Sequence, residues 1–203
     1  MKKSKADTAE TRRRIVSTAS QLFLDKGLGE TGIADVMAAA KLTPGGFYRH
    51  FDSKDQLIAE ASREANGTLF EYYDAAVAGM QPLQAIETIV RLYLWQLAGN
   101  DKILRCPLAN LGSELRHSDD RIRAIAMEGY RQLSGSFTAL ATQLGVADPA
   151  SVADAIVSTI VGAVTLSQLS VDLAIAENIL KNAQATVGTL LRPLHPVTAG
   201  VAA

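Results

Sequence analysis

Apolar positions along the chain recur almost everywhere at helical spacing, three and four residues apart. Ile15, Ala19, Leu22 and Phe23 share one face of a first helix. Asp7 and Glu10 stand in capping-box register before them, and Gly27 is placed to stop the helix. Ile33, Val36, Met37 and Ala40 predict a short second helix. Thr43-Pro44 reads as a cap and first-turn pair opening a short third helix that ends near Phe51. Ser53 and Gln56 form another capping box, opening a long fourth helix to about Ala78 with Leu57, Ile58, Ala61 and Ala65 on its early apolar face. A fifth helix is predicted over residues 83–97, stopped at Gly99-Asn100. A sixth begins at Pro107 and ends near Leu115, and a seventh, capped in the His117–Asp120 loop, runs to Gly145. An eighth opens at Asp148-Pro149, and a ninth covers residues 175–191 and stops at Pro193. No segment alternates with period two long enough to make a strand, so the expectation is an all-α chain of about nine helices. Residues after Pro196 are expected to fray.

Composition narrows the class. A chain of 203 residues with 48 % hydrophobic and 20 % charged side chains has an ordinary globular composition. Its net charge of -1 excludes a basic coat over the whole chain. The charge is nevertheless uneven, since residues 1–55 hold 10 basic and 7 acidic side chains and the remainder 10 and 14. Cys106 is the only cysteine, which excludes an intrachain disulfide and a cysteine-built zinc site. Residues 1–19 are polar and arginine-rich, unlike a secretory signal, so a cytoplasmic location is expected. Residues 152–169 are long and apolar enough to raise the question of a membrane span. Asp154, Ser158, Thr159, Thr165, Ser167 and Gln168 are costly in lipid, which favours a helix buried against other helices.

The first 55 residues carry the chemistry. Two short helices joined by Lys41-Leu42-Thr43 have the layout of a helix-turn-helix. Phe47 and Phe51, four apart, anchor the third helix, while Tyr48, Arg49 and His50 lie away from the anchor and carry hydrogen-bond donors. Gly45 and Gly46 occupy its first turn, a costly place for glycine unless a backbone must approach something closely. A major groove edged by phosphates is such a partner, although a plain helical hairpin with solvated polar residues has the same pattern. Lys2, Lys3 and Lys5 with Arg12, Arg13 and Arg14 read singly as solvated charges and together as an arm for phosphates. Gly27, Gly29 and Gly32 match G-x-G-x-x-G, with Asp52 placed 20 residues later. A dinucleotide site needs a strand before those glycines, and the residues before Gly27 are helical in pattern. No G-x-S-x-G or H-E-x-x-H motif is present, and His50, His117 and His195 are far apart, so neither catalysis nor a metal or cofactor is expected. His117 beside Asp119 and Asp120 reads as a capped loop.

The run Thr31-Gly32-Ile33-Ala34-Asp35-Val36, continuing through Leu42-Thr43-Pro44-Gly45-Gly46-Phe47-Tyr48-Arg49-His50-Phe51-Asp52-Ser53-Lys54-Asp55-Gln56-Leu57, resembles the DNA-binding domain of TetR-family transcriptional regulators. The resemblance implies a helix-turn-helix domain over residues 1–55 and an effector-binding and dimerisation domain over 56–195, with 196–203 a tail. It implies a homodimer joined through the last two helices, a palindromic double-stranded DNA operator, and release by a small organic effector. Thr43 would cap the recognition helix and touch phosphate, Pro44, Gly45 and Gly46 would face the bases, and Tyr48 and His50 would lie against the DNA backbone, with Arg49 a further DNA-binding candidate. Lys54 would bind a further phosphate. Two positions depart from the family pattern: Lys41 replaces a common turn glycine and must accept strain or a changed turn, and Ala34 replaces a polar or basic residue.

Expectations for the remainder are thinner. Phe70, Tyr73, Tyr93, Trp95, Tyr130 and Phe137, with Cys106 and Asn110, are the candidate effector-pocket residues, and each aromatic read alone is more often core than pocket. The segment Arg105-Cys106-Pro107 through Glu114 resembles a subset of the same family. Cys106 reads either as a thiol activated by a helix N-terminus and Arg105 or as a small buried apolar side chain. Ala155, Ile156, Ile160, Ala163, Val164, Ile179 and Leu180 are expected to form a two-fold, four-helix interface.

Overall fold

Local signals set most element boundaries in the computed structural model, which describes residues 5–96 and 105–192. These residues form α1 (Lys5–Lys26), α2 (Ile33–Ala39), a 3-10 helix (Pro44–Arg49), α3 (Lys54–Val77) and α4 (Pro82–Gln96). After them come α5 (Pro107–Leu115), α6 (Asp120–Gln143), α7 (Pro149–Leu169) and α8 (Leu173–Leu190), with no strand among the described residues. Gly27 ends α1 at φ 89° and Gly145 follows α6 at φ 73°, left-handed positions that glycine takes without steric cost. Asp119 accepts from the Ile122 amide at 2.9 Å, and Asp148 from the Ser151 amide at 3.2 Å with Pro149 at the first helical position.

Three boundaries differ from expectation. Asp7 does not cap α1: the helix is already under way at Lys5, and the Asp7 carbonyl accepts from the Thr11 hydroxyl at 2.7 Å. The third helix is of 3-10 type and stops at Arg49, a six-residue segment whose first turn holds two glycines, poor α-helix formers. α8 starts two residues early, since Asp172 accepts from the amides of Ala174 at 2.8 Å and Ile175 at 3.4 Å. The capping box at α3 is displaced by one residue: Ser53 accepts from the Gln56 amide at 3.1 Å, while the Gln56 side chain accepts from Asp52 rather than Ser53. Lys2, Lys3, Leu97, Gly99-Asn100, His195 and the tail after Pro196 lie outside the described residues.

Two apolar clusters form. One joins Ile15, Phe23, Met37, Phe47, Phe51 and Leu57 with Leu111, Leu115 and Ile122 from α5 and α6. The other joins Leu69, Tyr73, Ile86, Tyr93, Phe137, Ile156, Ile160 and Leu180. α3 runs unbroken past residue 55, giving Leu57 and Ile58 to the first cluster and Leu69 and Tyr73 to the second. α5 is a wedge, with Leu111 and Leu115 in the first cluster and Ala109 in the second. α7 is long and apolar enough to cross a membrane, with a mean hydropathy of 1.6. In the fold its inner face closes the second cluster, and Asp154 accepts from Tyr130 at 2.8 Å and Ser134 at 2.6 Å on α6.

Candidate nucleic-acid interface

The 3-10 helix is held from one side only. Phe47 and Phe51 are buried, with ring centroids 5.4 Å apart and stacked. Tyr48 stands edge-on to Phe47 at 5.1 Å yet is 71 % exposed, so its hydroxyl points away from the anchor. Thr43 holds the cap position with extended backbone, but its side chain makes no capping bond and is exposed. Arg49 is exposed and His50 half-buried. A Cβ built on Gly45 meets nothing within 4 Å, and one on Gly46 meets only Met37 at 3.6 Å and Thr43 at 3.9 Å. Neither glycine is at positive φ. Nothing among the described residues therefore requires glycine at these two positions, and their bare backbone is a property of the outer surface.

The turn before this helix bears the expected strain. Lys41 sits at φ 58°, the left-handed region, where an L side chain costs about 1–2 kcal/mol. The turn holds because the Leu42 amide donates to Met37 at 2.8 Å and the Lys41 amide to Ala38 at 2.9 Å. Ala34 is exposed and contributes no donor.

Two basic residues have internal duties that the sequence did not reveal. The half-buried Lys54 ammonium donates to the Leu28 carbonyl at 2.6 Å, tying α3 to the α1–α2 connection. Arg12 is not part of a free arm. It grips Glu60 of α3 through both guanidinium nitrogens and lies 4.4 Å over the Phe51 ring. The hydrogen bond from Arg12 holds the Glu60 carboxyl below the usual range and raises the guanidinium in turn. Arg13 pairs with Glu10 at 2.6 Å on the surface, and Arg14 is exposed.

The glycines at 27, 29 and 32 follow a helix, not a strand, and serve the fold. A Cβ on Gly27 would lie 2.6 Å from Glu114 Oε1, and the Gly29 amide donates to Glu114 Oε2 at 2.8 Å. Arg105 donates to the Leu24 carbonyl at 3.1 Å and pairs with Asp25 at 3.4 Å. The connection after α1 is thus fastened to α5. Glu114 was missed as a structural residue because its partner is 85 positions away in sequence.

The eight candidate effector residues separate. Phe70, Tyr73, Tyr93, Cys106 and Phe137 are buried in one cluster. The Tyr93 hydroxyl is buried against the Cys106 thiol. Trp95 is half-buried and donates to Gln184 of α8 at 3.0 Å. Tyr130 is committed to Asp154, and Asn110 donates to the Cys106 carbonyl at 2.9 Å and accepts from Gln168 at 3.1 Å. Of the two readings of Cys106, the buried side chain fits: burial pushes its thiol up, and Arg105 is turned toward Asp25 instead. His117 accepts from Arg116 at 2.9 Å, Asp119 caps α6, and no metal-sized cluster of ligands occurs among the described residues.

The residues expected to join two copies also need correcting. Ile156, Ile160, Ala163, Val164 and Leu180 face the chain's own core, because the most apolar stripe of each helix packs there. A second α7 stripe at spacings of four and three runs from half-buried Ala155, Thr159 and Gly162 to exposed Leu166 and Leu169. Leu166 and Leu169 are 57 % and 76 % exposed, and Val171, Leu173 and Ile175 continue the exposed apolar edge into α8.

Comparison with known proteins agrees with this architecture. Residues 15–61 match the model for bacterial regulatory proteins of the TetR family, and residues 82–182 the model for the C-terminal domain of LmrA/YxaF-like transcriptional regulators. The HTH-type transcriptional repressor DhaR of Mycobacterium sp. strain GP1 is 24 % identical over 123 residues, 60 % of each chain. The repressor KstR2 of Rhodococcus jostii strain RHA1 is 31 % identical over 80 residues, 39 % of each chain. The matched stretch thus spans about 60 % or less of these relatives' length. A TetR transcriptional regulator from Chloroflexus aurantiacus J-10-FL superposes with a TM-score of 0.77 at 25 % identity, over 91 % of this chain and 95 % of that one. Fold and surface define a helix-turn-helix regulator with a helical C-terminal domain. The chain belongs to the TetR family of transcriptional regulators.

Proposed function

We propose that this chain is a cytoplasmic homodimeric repressor that binds a palindromic operator and is released from it by a small organic effector. The observation that carries the reading is the outward surface of the 3-10 helix. There, two glycines that the fold does not need stand beside exposed Thr43, Tyr48 and Arg49 on a helix locked from behind by Phe47 and Phe51. Pro44, Gly45 and Gly46 approach base edges in the major groove, and Thr43, Tyr48, Arg49 and His50 hold phosphates and fix register. Lys54 keeps one proton on Leu28 and offers the others to a phosphate. The effector-responsive unit is the helical body beyond the start of α3. Two copies meet through the exposed α7–α8 edge, which gives two recognition helices for two half-sites. An effector that favours a different spacing of those helices lowers operator affinity by the same coupling free energy.

The test is anisotropy titration of the protein's own upstream DNA at several salt concentrations. Specific, salt-dependent binding is expected. Lys54→Ala should reduce the slope of log affinity against log salt by about 1.8 per dimer if each copy neutralises one phosphate. An unchanged slope removes Lys54 from the DNA surface, and absence of binding to any upstream fragment refutes the regulator reading.

A further inference from the structure

A surface groove between α5 and α6 is open. It has a volume of about 520 Å³, within the ~300–1,000 Å³ range of small-molecule clefts. Its floor is apolar, built from Leu108 and Leu115 of α5 with Ala124 and Met127 of α6, and Met127 is 44 % exposed. Gly112 lies between those leucines, in the middle of a nine-residue helix where glycine is a poor helix former. A Cβ built there meets nothing within 4 Å, so no neighbour among the described residues accounts for the glycine, and its absent side chain deepens the groove.

Charge gives the groove its second property. Arg116, Arg123 and Arg131 line it, against a single carboxylate, Asp120. Asp120 is engaged by Arg123. Arg116 donates to the His117 ring, and neither it nor Arg131 has a carboxylate partner among the described residues. A guanidinium recognises a planar carboxylate through paired N–H donors. An apolar floor rimmed by unneutralised arginines complements one kind of occupant, a molecule with an apolar body and a single anionic head.

We infer that the α5–α6 groove binds an amphipathic organic carboxylate and that it is the effector site, an assignment that rests on the regulator reading above. The coupling follows from the wedge. Leu115 lines the groove on one side and enters the DNA-side core on the other, and Glu114 on the same helix holds the Gly29 amide at 2.8 Å. An occupant that parts α5 from α6 moves the tie on which the helix-turn-helix hangs.

The test uses decanoate, with decan-1-ol as its uncharged counterpart, in calorimetry on the full-length protein. Decanoate should bind, with the alcohol at least tenfold weaker. Arg116→Ala with Arg131→Ala should weaken decanoate at least tenfold, and Gly112→Leu should abolish binding with no fall in melting temperature. Decanoate should also weaken operator binding by wild type and leave Gly112→Leu on the DNA. Failure of wild type to bind decanoate, or equal binding by all variants, overturns the site. A dimerisation constant shifted by Gly112→Leu makes the groove a protein contact and overturns it too. Binding that depends on Gly112 and the arginines but leaves operator affinity unchanged overturns the effector role alone. If wild type binds no operator, the regulator reading fails while calorimetry still decides the anion site.

Discussion

Gly45→Ala separates the demands of the fold from those of DNA. The added methyl enters open space, since nothing lies within 4 Å of its position. Gly45 is not at positive φ, so alanine adopts the same backbone without strain. Replacing glycine at such a position stabilises by about 0.4–1 kcal/mol, because the unfolded chain loses freedom. For a chain of this size that is a rise of about 1–4 °C in melting temperature. If Gly45 faces DNA as proposed, the same methyl stands where a base edge or sugar must approach. Overpacking of a close contact costs about 1–3 kcal/mol. At about 1.4 kcal/mol per half-site, tenfold each, a dimer loses about 100-fold in operator affinity. No charge changes, so non-specific binding and the salt slope should stay as in wild type. Thermal melting and anisotropy titration on one preparation read both effects. Operator affinity within threefold of wild type would show that Gly45 does not face DNA. A loss of affinity accompanied by a lower melting temperature would show that the glycine serves the fold, and would refute the reasoning.

Further outcomes follow from other contacts. Gly129 and Gly135 lie on the same helix, yet alanine at 135 meets nothing while at 129 its Cβ would fall 2.7 Å from the buried Asn66 amide nitrogen. Gly135→Ala should therefore raise the melting temperature and Gly129→Ala should not, with the two differing by about 1–3 kcal/mol in chemical denaturation. Arg12 holds the folded Glu60 carboxyl below its unfolded range, so that contribution is complete above the unfolded value and is lost as pH falls through the folded one. Glu60→Gln should thus cost up to about 1 kcal/mol at pH 7, and urea melts should show the difference closing below about pH 4.5. Cys106, buried with its thiol pushed up, should react with N-ethylmaleimide at pH 7.5 far more slowly in the folded protein than in urea, and comparable rates would contradict its placement.

Interactions within three or four residues were legible in the sequence. The caps at Ser53, Asp119 and Asp148, the stop at Gly27, the strained Lys41 turn and the Phe47–Phe51 anchor each depend on neighbours one helical turn away. Helical periodicity likewise fixed the all-α class, because it says which side chains share a face. Tertiary structure decided what each face meets. Lys54 turned to a carbonyl 26 positions away and Arg12 to a carboxylate 48 away, and Glu114 closed on Gly29 across 85. Nothing local marks such a partner, since an exposed lysine and a tethered one have the same neighbours in sequence. α7 is the clearest case. Apolar residues lie on two of its sides, and only the position of α6 and α8 determined that Ile156, Ile160 and Val164 go inward while Leu166 and Leu169 remain outside. The same packing left the α5–α6 groove open, because Gly112 has no side chain to fill it.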